Sequence, residues 1–199
     1  MSLILASSSP FRKKLLNKLS LDFDIVPPEI DESRKDNETP KQLVFRLAQE
    51  KAYKVAKTHS GLIIASDQVA TLADGTGVND AVLTKPQSHE NAVKQLGRSS
   101  GRVVTFLTSL ALLNTNTDNI QTYIHTSKVF FKVLSAEKIE NYLQKEQPYK
   151  CAGSFKSETP LGASLFERIE GDDADAMVGL PLIQLAKMLQ KEGVSTLKN

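Results

Sequence analysis

Short apolar runs alternate along this chain with longer segments whose apolar residues recur at helical spacing. The runs at 3–6 and 62–65 have no polar face, which is typical of strands covered on both sides in an α/β core. A long apolar run at 103–113 and a more polar one at 120–133 are separated by a polar turn. These two runs predict a long hairpin.

Helix-starting residues stand ahead of five segments with helical spacing. They are Ser9, Thr39, Ser88, Ser135 and Pro181. The second helix is predicted to run to about residue 56, and the third to residue 96, where Gly97 should end it. Further short strands are expected at 23–26, 82–85 and 165–169, a loop or hairpin tip at 73–80, and a solvated acidic turn at 170–175.

The overall charge is nearly balanced and excludes some classes of partner. Lys and Arg number 25 against 23 Asp and Glu, a net charge of +2, and aromatic residues make up 6%. This composition does not favour a nucleic-acid polymer or a membrane surface as partner. With 40% hydrophobic residues, and no repeat, linker or low-complexity tract, residues 1–199 are predicted to form a single domain.

Cys151 is the only cysteine, so no internal disulfide is possible and a reducing compartment is compatible. It lacks a recognisable histidine partner and is expected to pack in the core. Because no Cys or His residues have zinc-ligand spacing, any metal should be a hard cation on oxygen ligands. The first residues lack the basic region of a signal peptide and no run is long enough to span a membrane. A cytoplasmic protein is expected.

The beginning of the chain has the pattern of an anion site. A strand leads into a turn that contains Ser7, and Ser9 and Pro10 then start a helix. Free amides and the helix dipole attract anions at such an end. Arg12 and Lys13 lie in the first turn, where a cation opposes the dipole unless an anion binds. This conflict favours a phosphate site over a simple helix cap.

Asp67 follows the apolar run at 62–65 and is the leading catalytic candidate. If the strand ends there, its carboxylate faces the crevice in which α/β proteins bind ligands. The competing interpretation is that Asp67 caps the next turn. Lys51 falls within the apolar stripe of the second helix, so its ammonium either extends to solvent or points into a cleft. Lys85 is expected at a strand end.

Seven short motifs occur in order along nearly the whole chain. They are Ala6-Ser-Ser-Ser-Pro-Phe-Arg12, Asp31-Glu32, Leu47-Ala-Gln-Glu-Lys-Ala52, Ser66-Asp-Gln68, Thr84-Lys-Pro86, Ala152-Gly-Ser-Phe155 and Val178-Gly-Leu-Pro181. Together they resemble the Maf family of nucleotide pyrophosphatases. The segments at 67–68 and 155–158 are similar to the subgroup that hydrolyses 7-methyl-GTP rather than the one acting on dTTP and UTP.

The resemblance implies a fold and a reaction. The fold is an elongated α/β structure with a central mixed sheet flanked by helices and a cleft between two lobes, related to inosine triphosphate pyrophosphatases. The reaction is hydrolysis of a nucleoside triphosphate between its α and β phosphates, giving a monophosphate and pyrophosphate with the help of Mg²⁺ or Mn²⁺. The nucleoside triphosphate is then the expected partner.

The resemblance also implies roles for individual residues. Such hydrolysis needs an activated water and cations that offset the charge gathering on the leaving pyrophosphate. By motif position, the roles are Asp67 as proton acceptor, Glu32 and Asp67 as metal ligands, Lys51 and Lys85 as catalytic cations, and Ser7 and Arg12 as phosphate ligands.

Three residues are predicted to select the base. N7-methylation makes guanine cationic, so the face of Phe11 would gain a cation–π contribution of roughly 0.5–2 kcal/mol over neutral guanine. Glu158 would accept hydrogen bonds from the N1 and N2 donors, and Gln68 would bond another edge atom. Their alternatives are a hydrophobic contact for Phe11 and an exposed turn charge for Glu158.

Two other functions stay open. One is a pyrophosphatase for dTTP, UTP or a broader set of modified nucleotides. The other is a nucleotide-binding regulator of cell division, acting in septum formation without important turnover. The oligomeric state is also open, with a homodimer as one option.

Overall fold

The computed structural model describes residues 2–73 and 81–195. The predicted hairpin tip at 73–80 lies outside these residues apart from Ala73. Strands within the described residues are β1 (Leu3–Leu5), β2 (Asp24–Ile25), β3 (Leu62–Leu72), β4 (Ala81–Leu83), β5 (Val103–Asn114), β6 (Asn119–Phe131) and β7 (Phe166–Glu170).

The helices begin at the residues that the sequence predicted, with two short additions. They are α1 (Pro10–Leu16), α2 (Pro40–Ala56), α3 (His89–Ser99), α4 (Ala136–Glu146), α5 (Pro160–Ala163), α6 (Ala174–Val178) and α7 (Leu182–Lys191). The side chains of Ser9, Thr39, Ser88 and Ser135 each accept a hydrogen bond from a backbone amide of the following helix. No helix of the described segments is both long and apolar enough to cross a membrane.

The strands form a mixed sheet in the order β2-β1-β3-β5-β6-β7, with β4 paired to β3. Strand β1 pairs in parallel with β2 and β3, whereas the β3–β4 and β6–β7 pairs are antiparallel. The predicted α/β fold with a central mixed sheet flanked by helices is confirmed.

The chain divides into two compact units. Unit 1 comprises the described residues up to 67, then 108–125 and from 173 onward. Alternate residues of β1, β3 and β5 enter two apolar clusters. One cluster contains Leu5 and Ile64 with residues of α1 and α7, and the other contains Ile4 and Ile63 with residues of α2. Both faces of these strands are therefore covered, as their unbroken apolar runs predicted.

Unit 2 comprises the described residues of 68–107 and 126–172. Its core contains an aromatic cluster in which Phe155 makes edge contacts with Phe106, Phe131 and Phe166 at centroid distances of 5.1–6.1 Å. A Cβ added at Gly153 would lie 3.1 Å from the Phe106 ring. A residue without a side chain therefore suits this position. The prediction of one domain over residues 1–199 stays a prediction.

Two predicted boundaries are wrong. Strand β3 does not end at Asp67 but continues to Leu72, because its second half pairs with β4 after its first half has paired with β1. Asp67 therefore projects from inside a strand and does not cap a turn. Gly97 does not end α3, which runs on to Ser99 with Ser100 as the C-terminal cap.

Two further expectations about exposure need correction. The acidic segment 170–175 is not simply a solvated turn, since Asp173 is buried and its carboxylate caps α6 while also accepting a hydrogen bond from the Ile183 amide. Cys151 is only half-buried rather than a full core residue. Burial nevertheless raises the pKa of its thiol.

Replacing Gly97 by Ala should stabilise the protein. Gly97 lies inside α3, and a Cβ added there meets nothing within 4 Å, so the variant should raise the free energy of unfolding by about 0.5–1 kcal/mol. Urea denaturation would measure this change. Gly162→Ala is the opposite case, because its Cβ would overlap the Lys156 carbonyl oxygen. A destabilising Gly97→Ala would contradict the continuous α3 helix.

Candidate active site

The side chain of Lys51 points inward and ends between two carboxylates. It belongs to the buried stripe of α2, and its side chain is 5% exposed. The Nζ atom lies 2.6 Å from Asp67 Oδ1 and 2.7 Å from Glu32 Oε1. The structure thus resolves the open choice for Lys51, because its ammonium pairs inside the protein and does not extend to solvent.

Asp67 is held by its backbone as well as by this ion pair. Its amide donates to Ser109 Oγ at 3.0 Å, and the Ser109 hydroxyl lies 3.1 Å from the Asp67 carbonyl oxygen. Both residues are buried. This pair of contacts between β3 and β5 fixes the origin of the carboxylate, which reaches Lys51 from a rigid strand.

The helix start at α1 adds a second cation and a hydroxyl to the cluster. Ser7 is buried, and its hydroxyl accepts hydrogen bonds from the Ser9 amide at 3.1 Å and from Arg12 Nη1 at 3.4 Å. Burial lowers the pKa of Arg12, while the negative charges of Asp67 and Glu32 oppose this shift. The guanidinium remains charged at physiological pH. Unit 1 therefore brings together Ser7, Arg12, Glu32, Lys51 and Asp67.

The motif at 178–181 has a structural role that sequence reasoning missed. The Gly179 carbonyl accepts one hydrogen bond from Arg12 Nε and one from Ser66 Oγ, each at 2.9 Å. Gly179 has a φ of 129°, a conformation that side chains disfavour. The motif thus supplies a backbone oxygen that fixes the direction of Arg12. The unusual Val-Gly-Leu-Pro run was the available signal, but it carried no role by itself.

A second ion cluster lies beside the segment that carries Glu32. Arg46 of α2 donates from Nε and Nη2 to the Glu38 carboxylate at 2.6 and 2.8 Å, from Nη1 to Glu50 at 2.9 Å, and from Nη2 to the Ser33 carbonyl at 2.9 Å. Hydrogen bonding to Arg46 lowers the pKa of the Glu38 carboxyl to about 2. No pattern in the sequence singled out this arginine.

The remaining predicted site residues are more exposed. Phe11 is partly exposed and Lys13 is exposed, both on α1. In unit 2, Gln68 is partly exposed, whereas Lys85 and Glu158 are exposed. Lys85 follows β4 by two residues and lines a depression of about 390 Å³ together with residues of α3. The roles of these five residues stay predictions.

The donor set in unit 1 fits a magnesium-type ion. No group of three or more His, Cys, Asp or Glu side chains in the described parts of the chain is arranged to hold a metal. Mg²⁺ usually binds through one or two carboxylates, with water and substrate phosphate completing its shell. Glu32 and Asp67, which both reach the same ammonium group, meet this requirement.

Unit 1 of this α/β protein brings two carboxylates, two cations and a hydroxyl together, a set of groups that can bind phosphate oxygens. The family model described as Maf-like protein matches residues 2–192. The chain belongs to the Maf family.

Three relatives match over almost their full length, and each is named 7-methyl-GTP pyrophosphatase. The relative from Nitrosococcus oceani is 47% identical, with 98% of this chain and 96% of the relative covered. The one from Aliivibrio fischeri is 46% identical, with 98% of each covered. The one from Alcanivorax borkumensis is 50% identical, with 97% and 95% covered.

Solved structures with partial similarity were also found. A nucleoside-triphosphatase/dITP/XTP pyrophosphatase from Mycobacterium abscessus is 18% identical, with a TM-score of 0.45 over 66% of this chain and 74% of that one. The Ham1 protein of Staphylococcus aureus is 14% identical, with a TM-score of 0.45 over 66% and 72%. These scores are too low to support an argument about function.

The pair of Glu38 with Arg46 should make stability depend on acid pH. The pKa of the Glu38 carboxyl in the folded protein is about 2, below the ordinary glutamate value of about 4.3. The pair therefore contributes its full stabilisation of the folded state at pH values above about 4.3. Its contribution is lost as the pH falls toward 2. Glu38→Gln should therefore lower the free energy of unfolding by about 2 kcal/mol at pH 7.

Urea denaturation of both proteins between pH 7 and pH 2.5 would measure this difference, which should shrink steadily below about pH 4.3. Glu167→Gln, on the exposed part of β7, is the matched control and should show little change. A difference between wild type and Glu38→Gln that is constant with pH would contradict the depressed pKa.

Proposed function

We propose that this protein hydrolyses 7-methyl-GTP between its α and β phosphates, releasing 7-methyl-GMP and pyrophosphate in the cytoplasm. The observation that carries the proposal is the placement of Lys51 between Glu32 and Asp67. The negative charges of both acids also act on Arg12, where they oppose the lowering of its pKa by burial. Membership of the Maf family and the names of the three relatives support the choice of reaction.

Asp67 is the proposed proton acceptor for the attacking water. Its backbone is fixed by Ser109, so its carboxylate needs little reorganisation when a proton is transferred. The proton moves from water to an Asp67 oxygen as the water oxygen bonds to the α phosphorus. The bond from that phosphorus to the bridging oxygen breaks, and pyrophosphate leaves.

Cations and donors of unit 1 are proposed to bind the triphosphate. Arg12 presents a planar group that can bond two phosphate oxygens, and its direction is fixed by the Gly179 carbonyl. Ser7 and the α1 amides supply neutral donors. Lys51 neutralises negative charge that develops in the transition state. Lys13 and Lys85 are proposed to add to this charge compensation.

Glu32 and Asp67 are the proposed ligands of a divalent cation, Mg²⁺ or Mn²⁺. When bound, such an ion polarises phosphate oxygens and makes a coordinated water more acidic. The two carboxylates already hold one positive charge in common, that of Lys51. We infer that these two carboxylates would hold the metal ion in the metal-bound enzyme. The Lys51 ammonium would then neutralise negative charge on the substrate phosphates.

Selection of the base is assigned to Phe11, Gln68 and Glu158. A cationic 7-methylguanine interacts more strongly with an aromatic face than neutral guanine does, and Phe11 offers such a face. The Glu158 carboxylate accepts hydrogen bonds from the donors of the guanine edge, and a charged acceptor strengthens them. Gln68 contributes one further edge contact.

Asp67→Asn should lower the rate of pyrophosphate release by roughly 10²–10⁴-fold, because the amide cannot accept the proton. The assay would follow purified protein with Mg²⁺ or Mn²⁺ on 7-methyl-GTP, GTP, dTTP, UTP and CTP. Asp118→Asn, at an exposed turn position, is the matched control and should keep full activity.

The wild-type protein should prefer 7-methyl-GTP among these nucleotides. A preference for dTTP or UTP would keep the catalytic assignment and overturn the choice of base. No turnover on any of the five nucleotides would overturn the enzymatic proposal and favour a nucleotide-binding regulator. Full activity in Asp67→Asn would show that this carboxylate is not the base.

Glu158→Gln should reduce kcat/KM for 7-methyl-GTP by about 10- to 100-fold, because a charge-assisted hydrogen bond contributes about 1.5–3 kcal/mol. The value for UTP should change much less. Steady-state kinetics on both nucleotides would measure the two effects, with Glu167→Gln as the control. Equal losses on both substrates would mean that Glu158 does not read the base.

A further inference from the structure

Glu32 lies on a segment with no regular structure of its own. Residues 26–39 between β2 and α2 contain neither helix nor strand, and the Glu32 side chain is 54% exposed. Its carboxylate is nevertheless 2.7 Å from the buried Lys51 ammonium. An exposed side chain on an irregular segment needs further contacts to stay in one position.

Arg46 supplies these contacts from the same helix that carries Lys51. Its Nη2 atom donates to the carbonyl of Ser33, the residue directly after Glu32, and two of its nitrogens hold the Glu38 carboxylate. Nη1 is directed to Glu50, one turn further along α2. The guanidinium therefore joins the second half of the segment, from Ser33 to Glu38, to the helix.

The other polar contacts of the segment strengthen this attachment. The Asp31 carboxylate accepts from the Ser33 amide at 2.9 Å, which closes a tight turn around Glu32. The Glu38 carboxylate also accepts from the Lys35 amide at 3.0 Å. Because Arg46 holds the Ser33 carbonyl and the Glu38 carboxylate, the turn carrying Glu32 is fixed to α2 on its C-terminal side.

We propose that Arg46, through Glu38 and the Ser33 carbonyl, is a positioning residue that sets the reach of Glu32 toward Lys51 and Asp67. The proposal rests on the function proposed above for Glu32. A lysine cannot replace this arginine, since its single ammonium lacks the planar fork that serves two carboxylates and a carbonyl at once. A shift of about 1 Å in a positioned group is enough to cost about 10²-fold in rate.

The first test measures the attachment itself, without any turnover. Amide hydrogen exchange should be at least about 10-fold faster at Ser33 and Lys35 in Arg46→Lys than in wild type, with the amides of α3 unchanged. Arg168→Lys is the matched control, because Arg168 pairs with a glutamate on β7 in unit 2. Unchanged exchange at Ser33 and Lys35 would overturn the proposal.

The second test is a double-mutant cycle on kcat/KM for 7-methyl-GTP with Glu32→Gln and Arg46→Lys. Arg46→Lys should cost about 10- to 100-fold in the wild-type background and less than about 2-fold once Glu32 is already Gln. A purely structural role would give the same factor in both backgrounds and would overturn the proposal. Arg168→Lys should leave the wild-type rate unchanged.

A milder variant guards against loss of folding in Arg46→Lys. Glu38→Gln keeps Arg46 and removes only the negative charge of its partner, and it should show the same dependence on Glu32 with a smaller factor of about 3- to 10-fold. Wild-type activity in Glu32→Gln itself would remove the proposed role of Glu32. If Glu32→Gln lowers kcat/KM but the effects of Glu32→Gln and Arg46→Lys are additive, only the positioning role of Arg46 would be rejected.

Discussion

A buried ammonium group determines how the site of this protein is built. Removing the Lys51 charge from water costs several kcal/mol unless opposite charges compensate it, and Glu32 and Asp67 provide that compensation at 2.7 and 2.6 Å. Both carboxylates must therefore lie next to the Lys51 Nζ atom, although they come from different parts of the chain. The strand β3, the helix α2 and the irregular segment before α2 meet there for this reason.

The fold holds two members of this group, Asp67 and Lys51, on rigid elements of secondary structure. Alternate residues of β3 fill the apolar clusters on its two faces, and the Ser109 hydroxyl of β5 contacts both the amide and the carbonyl oxygen of Asp67. Lys51 comes from a 17-residue helix whose other inward residues are apolar. The third member, Glu32, lies on the irregular segment before α2, which Arg46 attaches to that helix.

Local patterns predicted most of the strands and the main helices, and the family resemblance singled out five residues that unit 1 brings together. The predictions failed where contacts between distant parts of the chain determine the structure. Capping residues such as Ser9 and Thr39 act within a few positions, so they were visible in the sequence. The continuation of β3 past Asp67 depends on pairing with β4, which no local pattern encodes. The roles of Gly179 and Arg46 were missed for the same reason, since their contacts join parts of the chain that only folding brings together.

The most direct test of the account is hydrolysis of 7-methyl-GTP in water enriched in oxygen-18, with mass analysis of both products. Wild-type protein should place one labelled oxygen in 7-methyl-GMP and none in pyrophosphate, because the water attacks the α phosphorus and pyrophosphate leaves. Lys51→Met should release almost no product. Label in pyrophosphate or in free phosphate, or a Lys51→Met variant that retains the wild-type rate, would contradict the account.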